Sequence, residues 1–101
     1  MDIIKGTTPT FVYTFTAVTV SDISEAYFTI KSGGAVIITK DITDAVVGTK
    51  TLSFELSQTE TLKLTFPECK TMLNWKLSDG TRGASSEQTI HVRENQINEV
   101  I

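Results

Sequence analysis

Alternation of apolar and polar positions dominates this chain. From Thr10 to Ala17 the sequence TFVYTFTA sets Phe11, Tyr13 and Phe15 on one side and Thr10, Thr14 and Thr16 on the other. A period of two marks a strand with one buried face. The same rhythm returns in EAYFTIK (25–31), where Ala26, Phe28 and Ile30 oppose Tyr27 and Thr29. In TLSFEL (51–56), Leu52, Phe54 and Leu56 oppose Thr51, Ser53 and Glu55; in TMLNWKLSD (71–79), Leu73, Trp75 and Leu77 oppose Met72, Asn74 and Lys76. AVIITK (35–40) is a further strand, joined to its predecessor by the hairpin signal Ser32-Gly33-Gly34. The last long strand is expected from Ser85 to Glu94, with Ile90 and Val92 on one face and His91 and Arg93 on the other. Short strands are expected at Ile3-Ile4, at Asp41-Ile42-Thr43 and from Ile97 to Ile101.

Four stretches interrupt the alternation. SQTETLKL carries the S-x-x-E spacing of a capping box at Ser57 and Glu60. It predicts a short helical turn from Gln58 to Leu64, ended by Pro67, with Leu62 toward the core. Such a turn carries a chain from one sheet of a sandwich to the other. KGTTPTF (5–11) places Gly6 and Pro9 between two apolar runs. Gly6 permits an unusual φ, and Pro9 holds Thr8 extended without donating a hydrogen bond. This predicts a kink that lets the first strand change sheets. Val47 to Lys50 reads as a turn, and Asp79-Gly80-Thr81-Arg82-Gly83 reads as a loop with two flexible glycines.

About seven short strands, regular turn signals and one helical turn argue for an all-β antiparallel sandwich, a single domain over residues 1–101. A parallel α/β sheet needs crossover helices that this chain lacks. The strand phases predict a core of Phe11, Tyr13, Phe15, Phe28, Ile30, Leu52, Phe54, Leu56, Leu62, Leu73, Trp75, Leu77, Ile90 and Val92. On that phasing, truncating Trp75 to Ala costs about 3–5 kcal/mol. Seventeen threonines among aromatic and β-branched residues fit the same class.

Composition adds exclusions. At 101 residues and net charge −3, with basic residues scattered from Lys5 to Arg93, the chain has no cationic cluster for nucleic acid or an anionic membrane surface. Its longest apolar run, Ala35 to Ile38, falls far short of the roughly 20 residues that span a bilayer. Thr14, Thr16 and Thr19 interrupt the stretch that a signal peptide would need, so synthesis and retention in the cytoplasm is expected. A single cysteine, Cys69, forms no internal disulfide. Catalytic and ligand patterns are equally sparse. His91 is the sole histidine and projects from the polar side of its strand. Cys69 and His91 together fall short of a zinc set, and Asp41 to Val46 fails the calcium-loop spacing at its fifth and sixth positions. In KGTTPTF the lysine precedes the only glycine and a strand follows, which is not the phosphate-binding pattern. No sequon for N-glycosylation is present. The inventory points to a protein that is not an enzyme and needs no cofactor or metal.

One resemblance spans nearly the whole chain. The opening Ile3-Ile4-Lys5-Gly6-Thr7-Thr8-Pro9-Thr10-Phe11, the strand AYFTIKSGGAVIITK, the segment LSQTETLKL, the strand of Trp75, the loop Asp79 to Ala84 and the ending from Val92 to Val100-Ile101 are similar to small proteins encoded by phages and prophages of Gram-positive gut bacteria. The opening also resembles the N-terminal domain of phage baseplate upper proteins, an Ig-like sandwich with a K-G-D-T-x-P pattern; Thr stands here where that pattern has Asp. The resemblance implies an Ig-like fold and a non-enzymatic virion structural or accessory protein of the tail, baseplate or neck. Such a protein is made in the bacterial cytoplasm, resides in the virion once assembled, and contacts other virion proteins or itself. Docking is then expected at a sheet edge or through end loops, with Asp79, Gly80, Arg82 and Gly83 as partner-binding residues. The alternative reading is a carbohydrate- or cell-surface-binding module that uses the exposed ring of Tyr27.

Overall fold

The structure, a computed structural model, describes residues 2–64 and 67–101. Met1, Thr65 and Phe66, which the single-domain expectation includes, lie outside the described residues. The strands are β1 (Asp2–Ile4), β2 (Thr10–Thr14), β3 (Ile23–Ser32), β4 (Ala35–Asp41), β5 (Val46–Val47), β6 (Thr51–Glu55), β7 (Glu68–Leu77), β8 (Arg82–Ala84) and β9 (Gln88–Arg93), with one α-helix, α1 (Gln58–Leu62), among the described residues. They form two sheets. The larger runs β1-β9-β7-β3-β4, with β8 also paired to β7, and the smaller runs β2-β6-β5. The all-β sandwich read from alternation is therefore the architecture found.

Local chemistry explains the connections. Between β3 and β4, Gly33 and Gly34 both hold positive φ (58° and 88°), as a tight two-residue hairpin of the right twist requires. The chain leaves β1 at the edge of the larger sheet, turns through residues 5–9 with Gly6 at φ 82°, and enters β2 in the smaller sheet. The predicted change of sheets is thus observed. Because β1 and β2 lie in different sheets, β1 pairs in parallel with β9 (Ile3 beside Val92), and the sandwich is not wholly antiparallel. The capping box also forms: Ser57 N–H donates to Glu60 Oε1 at 2.8 Å, and Glu60 N–H donates to Ser57 Oγ at 3.1 Å. From there α1 carries the chain from β6 to β7 across the sandwich.

Several expectations need correction. The helix stops at Leu62, not Leu64, and its buried side chain is Thr61, while Leu62 is half-buried. Asp41 to Thr43 is not a separate strand: Asp41 ends β4, and Ile42 and Thr43 belong to a turn. Its Asp41 carboxylate accepts the Thr43 N–H at 2.9 Å and the Asp44 carboxylate accepts the Asp41 N–H at 3.1 Å, capping a 3-10 turn over Ile42–Asp44. The final long strand spans Gln88–Arg93, shorter than expected, because Ser85 to Glu87 bridges β8 and β9. Residues 97–101 form no strand. β5 and β8 are too short to show alternation, which is why more strands appear than the pattern predicts.

The core sits between the sheets around Phe28, which is fully buried. Its ring lies 5.0 Å from that of Phe11, 5.2 Å from that of Phe54 in a stacked arrangement, and 6.0 Å edge-on from that of Tyr13. Tyr13, Leu62, Trp75 and Leu77 are half-buried; the other predicted core residues are buried. Ile3, Val20, Ile23, Ile38, Leu64 and Cys69 join them. Thr71 Oγ1 is buried with no hydrogen bond of good geometry. The Tyr13 hydroxyl interacts with it, moderating the upward push that burial exerts on the phenol pKa.

Candidate functional site

Strand directions place two clusters of connections at opposite ends of the sandwich. One end gathers residues 15–22, 48–50 and 78–81. Phe15 N–H donates to the Lys50 carbonyl at 2.8 Å, and Ser78 donates to the Asp22 carbonyl through both its N–H (2.8 Å) and its hydroxyl (3.0 Å). Loops held in this way on a rigid sandwich are the usual place for recognition.

The β7–β8 hairpin is the centre of this end. Asp79 Oδ1 accepts the Thr81 N–H at 2.8 Å, Gly80 takes φ 91° and donates to Leu77, and Leu77 N–H donates to Thr81. The Thr81 backbone N–H, and next its hydroxyl, hold the Asp79 carboxyl below the ordinary carboxylate range. Asp79 and Gly80 therefore shape the turn. Arg82 and Gly83 are strand residues of β8 rather than loop, opposite Lys76 and Trp75. Gly83 is there for space, not flexibility: a Cβ at that position would lie 2.6 Å from the Trp75 indole. The indole thus lies over the glycine backbone, and it meets the Phe15 ring edge-on at 5.1 Å and 88°.

Above this contact is a recess of about 180 Å³ lined by Glu25, Tyr27, Asn74, Trp75, Lys76 and Arg82. Strand register builds it. Glu25, Lys76 and Arg82 form one cross-strand row on the outer face, and Tyr27, Asn74 and Ala84 form the next. Tyr27 is 45% exposed. Among the described residues the ion pairs are Lys40–Glu60 and Asp2–Arg93, so the adjacent Lys76 and Arg82 carry cations without a paired carboxylate. Like charges directly opposite in a sheet are unfavourable. The recess therefore offers the Tyr27 ring beside two cations and the Glu25 carboxylate opposite Lys76, which leaves Arg82 as the cation that an incoming carboxylate would satisfy. Of the four expected partner-binding residues, Arg82 alone lines this recess; Gly83 lines an adjoining one with Asn74, Arg82 and Ala84, and Asp79 lies on a third with Asp22 and Ser78. Glu25, Asn74 and Lys76 are not singled out by the sequence. Their signal is the pairing register, which alternation alone does not supply.

Elsewhere the chemistry is sparse. His91 is exposed on β9, with Asp2 and Glu68 as its register neighbours, and Cys69 is buried. No cluster of three or more His, Cys, Asp or Glu suited to a metal occurs among the described residues. The carboxyls with shifted pKa values, Asp2, Asp41, Glu60 and Asp79, are all held low, which keeps them ionised and unsuited to donating a proton at neutral pH. Among the described residues no helix is long and apolar enough to cross a membrane.

No protein-family model matches this chain, and no curated protein matches it in sequence. Among solved structures, it is similar to the Ig-like domain of mouse leukocyte-associated immunoglobulin-like receptor 1, determined as a strand-swapped dimer. The TM-score is 0.58 at 12% identity, covering 92% of this chain and 86% of that one. At that identity the likeness is one of fold, and the fold is an Ig-like β-sandwich.

Proposed function

We propose that this chain is a non-catalytic protein-binding module, one Ig-like domain over residues 1–101, that serves as a structural or accessory component of a phage or prophage virion. It is made in the bacterial cytoplasm and is carried in the particle, in the tail, baseplate or neck, where it contacts other virion proteins or further copies of itself. The observation that carries the binding role is the recess that holds Tyr27 and Arg82. Tyr and Arg are among the residues that concentrate binding energy at interfaces, and here Tyr27 and Arg82 sit on strands joined through β7 that need no reordering. The virion assignment rests on the resemblance of the KGTTPT opening, the SQTETLKL segment and the Asp79 to Ala84 hairpin to phage-encoded proteins.

Proteomics of purified particles after prophage induction tests the virion role. The chain is expected to co-purify with tail proteins; its repeated absence from particles in which tail proteins are well detected overturns the role. Within a particle, Tyr27→Ala combined with Arg82→Ala is expected to reduce incorporation while the isolated protein stays folded. A second reading, glycan binding, is favoured by the exposed Tyr27 ring beside Asn74 and Arg82, since an aromatic face with flanking polar groups can stack on a sugar. A glycan array without hits removes it.

A further inference from the structure

The N-terminal segment divides at Gly6 into a fixed part and a detachable part. The fixed part begins at Gly6 itself. Thr61, fully buried on α1, accepts the Gly6 N–H at 3.0 Å and donates its hydroxyl to the Thr7 carbonyl at 2.7 Å, while Leu56 N–H donates to the Pro9 carbonyl at 3.0 Å. The detachable part, residues 2–5, is bound differently. β1 pairs with β9 alone and lies at the edge of its sheet, so its departure disturbs no other strand pair. One apolar side chain anchors it, Ile3, which is 3% exposed. Three further ties reach toward β9 and the segment after it: Asp2 to Arg93 at 3.0 Å, Lys5 N–H to the Arg93 carbonyl at 3.0 Å, and Asn95 Nδ2 to the Lys5 carbonyl at 2.9 Å; across the pivot the Ile4 carbonyl accepts the Thr7 N–H at 3.3 Å and the Thr7 hydroxyl at 2.7 Å. Between the parts stands the one residue type that turns freely, a glycine at φ 82°.

From this we infer that β1 is exchanged between two copies of the chain, each placing Ile3 beneath the other's β9. Every contact that residues 2–5 make with β9 and Asn95 is re-formed across the pair, so exchange gives up only the two Thr7–Ile4 bonds of the pivot and is governed by concentration. Ile4 and Ile97 are 46% and 49% exposed on either side of the pivot, Ile97 with its carbonyl near Gly6, and the approach of a second copy would cover them. The φ of 82° belongs to the closed monomer. A residue with a side chain prefers extended backbone there, which favours the open arm and hence the exchanged dimer.

The test mixes two singly substituted proteins, Asp2→Cys and Arg93→Cys, at up to millimolar concentration, and treats the mixture with a short bismaleimide. Cys69 is buried and does not interfere in the folded protein. Exchange is expected to yield a crosslinked pair containing one copy of each, and light scattering is expected to show mass doubling as concentration rises. Gly6→Ala is expected to move the transition to lower concentration. A mixture that yields no mixed pair, while the doubly substituted chain links internally, overturns the inference, as does a dimer that forms without mixed crosslinks. The crosslinking arm stands without Gly6→Ala if that variant does not fold. Because it requires only this chain, its outcome is separate from that of particle proteomics.

Discussion

The two ends of the sandwich solve opposite problems with similar materials. At one end the kink of residues 5–9, helix α1 and the segment from Asn95 to Ile101 are tied by hydrogen bonds that converge on backbone. Thr61 serves Gly6 and Thr7, Asn95 serves Lys5, and Gln58 Oε1 accepts the Ile101 N–H at 3.0 Å. Polar groups there are consumed internally. At the other end the loops are also tied to one another, yet among the described residues Lys76 and Arg82 have no carboxylate partner and the Tyr27 ring stays open to solvent. The difference separates residues that hold the fold from residues available to a partner.

The largest effect is expected where the internal ties converge. Thr61→Val keeps the shape of the side chain and removes its hydroxyl, leaving the Gly6 N–H and the Thr7 carbonyl without their partner. Each unpaired group costs about 1–3 kcal/mol. Chemical denaturation should show a clear fall in midpoint at constant slope. An unchanged midpoint would mean that water replaces the hydroxyl and that this end is not locked in the way described.

At the opposite end, Trp75→Ala should cost less than the sequence-based figure of about 3–5 kcal/mol. With part of the indole exposed, about 2–3 kcal/mol is expected, because the loss scales with the area actually buried. Gly83→Ala probes the same contact from across the hairpin. A Cβ 2.6 Å from the indole forces the ring to move, costing about 1–3 kcal/mol by overpacking. Since Trp75 is the only tryptophan, its fluorescence reports the displacement directly. A Gly83→Ala protein with the emission and stability of the parent would show that the ring does not rest on the glycine.

These two ends were unequally legible in the sequence. The kink was readable because Gly6 and Pro9 carry their conformational preferences with them, and the cap because Ser57 and Glu60 sit at a fixed spacing. Both are local, decided by residues a few positions apart. The choice of Thr61 over Leu62 as the buried side chain was not local. It depends on backbone groups of Gly6 and Thr7, distant in the chain, that need a partner. The recess failed to show for the same reason. Glu25, Lys76 and Arg82 share a row only through the register of β3, β7 and β8, and Gly83 reads as a flexible loop residue until Trp75 is seen lying over it. Asp41 to Thr43 went the other way. A short strand was expected, but β4 ends at Asp41, where the Asp41 and Asp44 carboxylates accept the Thr43 and Asp41 N–H groups and turn the chain.

A smaller effect, dependent on pH, is expected at Glu60. Burial pushes its carboxyl up, but the Ser57 N–H and the Lys40 ammonium at 3.0 Å outweigh that and hold it below the ordinary carboxylate range. A carboxyl lowered in the folded state adds stability that is complete above its unfolded pKa and is lost as pH falls through the folded value. Glu60→Gln keeps an acceptor for Ser57 and removes the charge. Stability at neutral pH should drop by about 0.5–1 kcal/mol, with a shallower decline in acid. Identical acid profiles for the two proteins would assign the lowered pKa no part in holding α1.

The smallest effect on stability is the one that bears most on function. Arg82 is exposed, forms no ion pair among the described residues, and faces Lys76 across the hairpin. Arg82→Ala should therefore leave the denaturation midpoint within about 0.5 kcal/mol of the parent, or raise it slightly as the like-charge repulsion is relieved. The same substitution should weaken any partner that presents a carboxylate to the recess, and the loss should shrink as salt is added, because the interaction is an exposed electrostatic one. A marked loss of stability would make Arg82 part of the scaffold and erase the distinction between the two ends. Unchanged stability together with unchanged partner binding would leave that distinction standing but move the docking surface elsewhere on the loop end, toward Asp22 and Asp79.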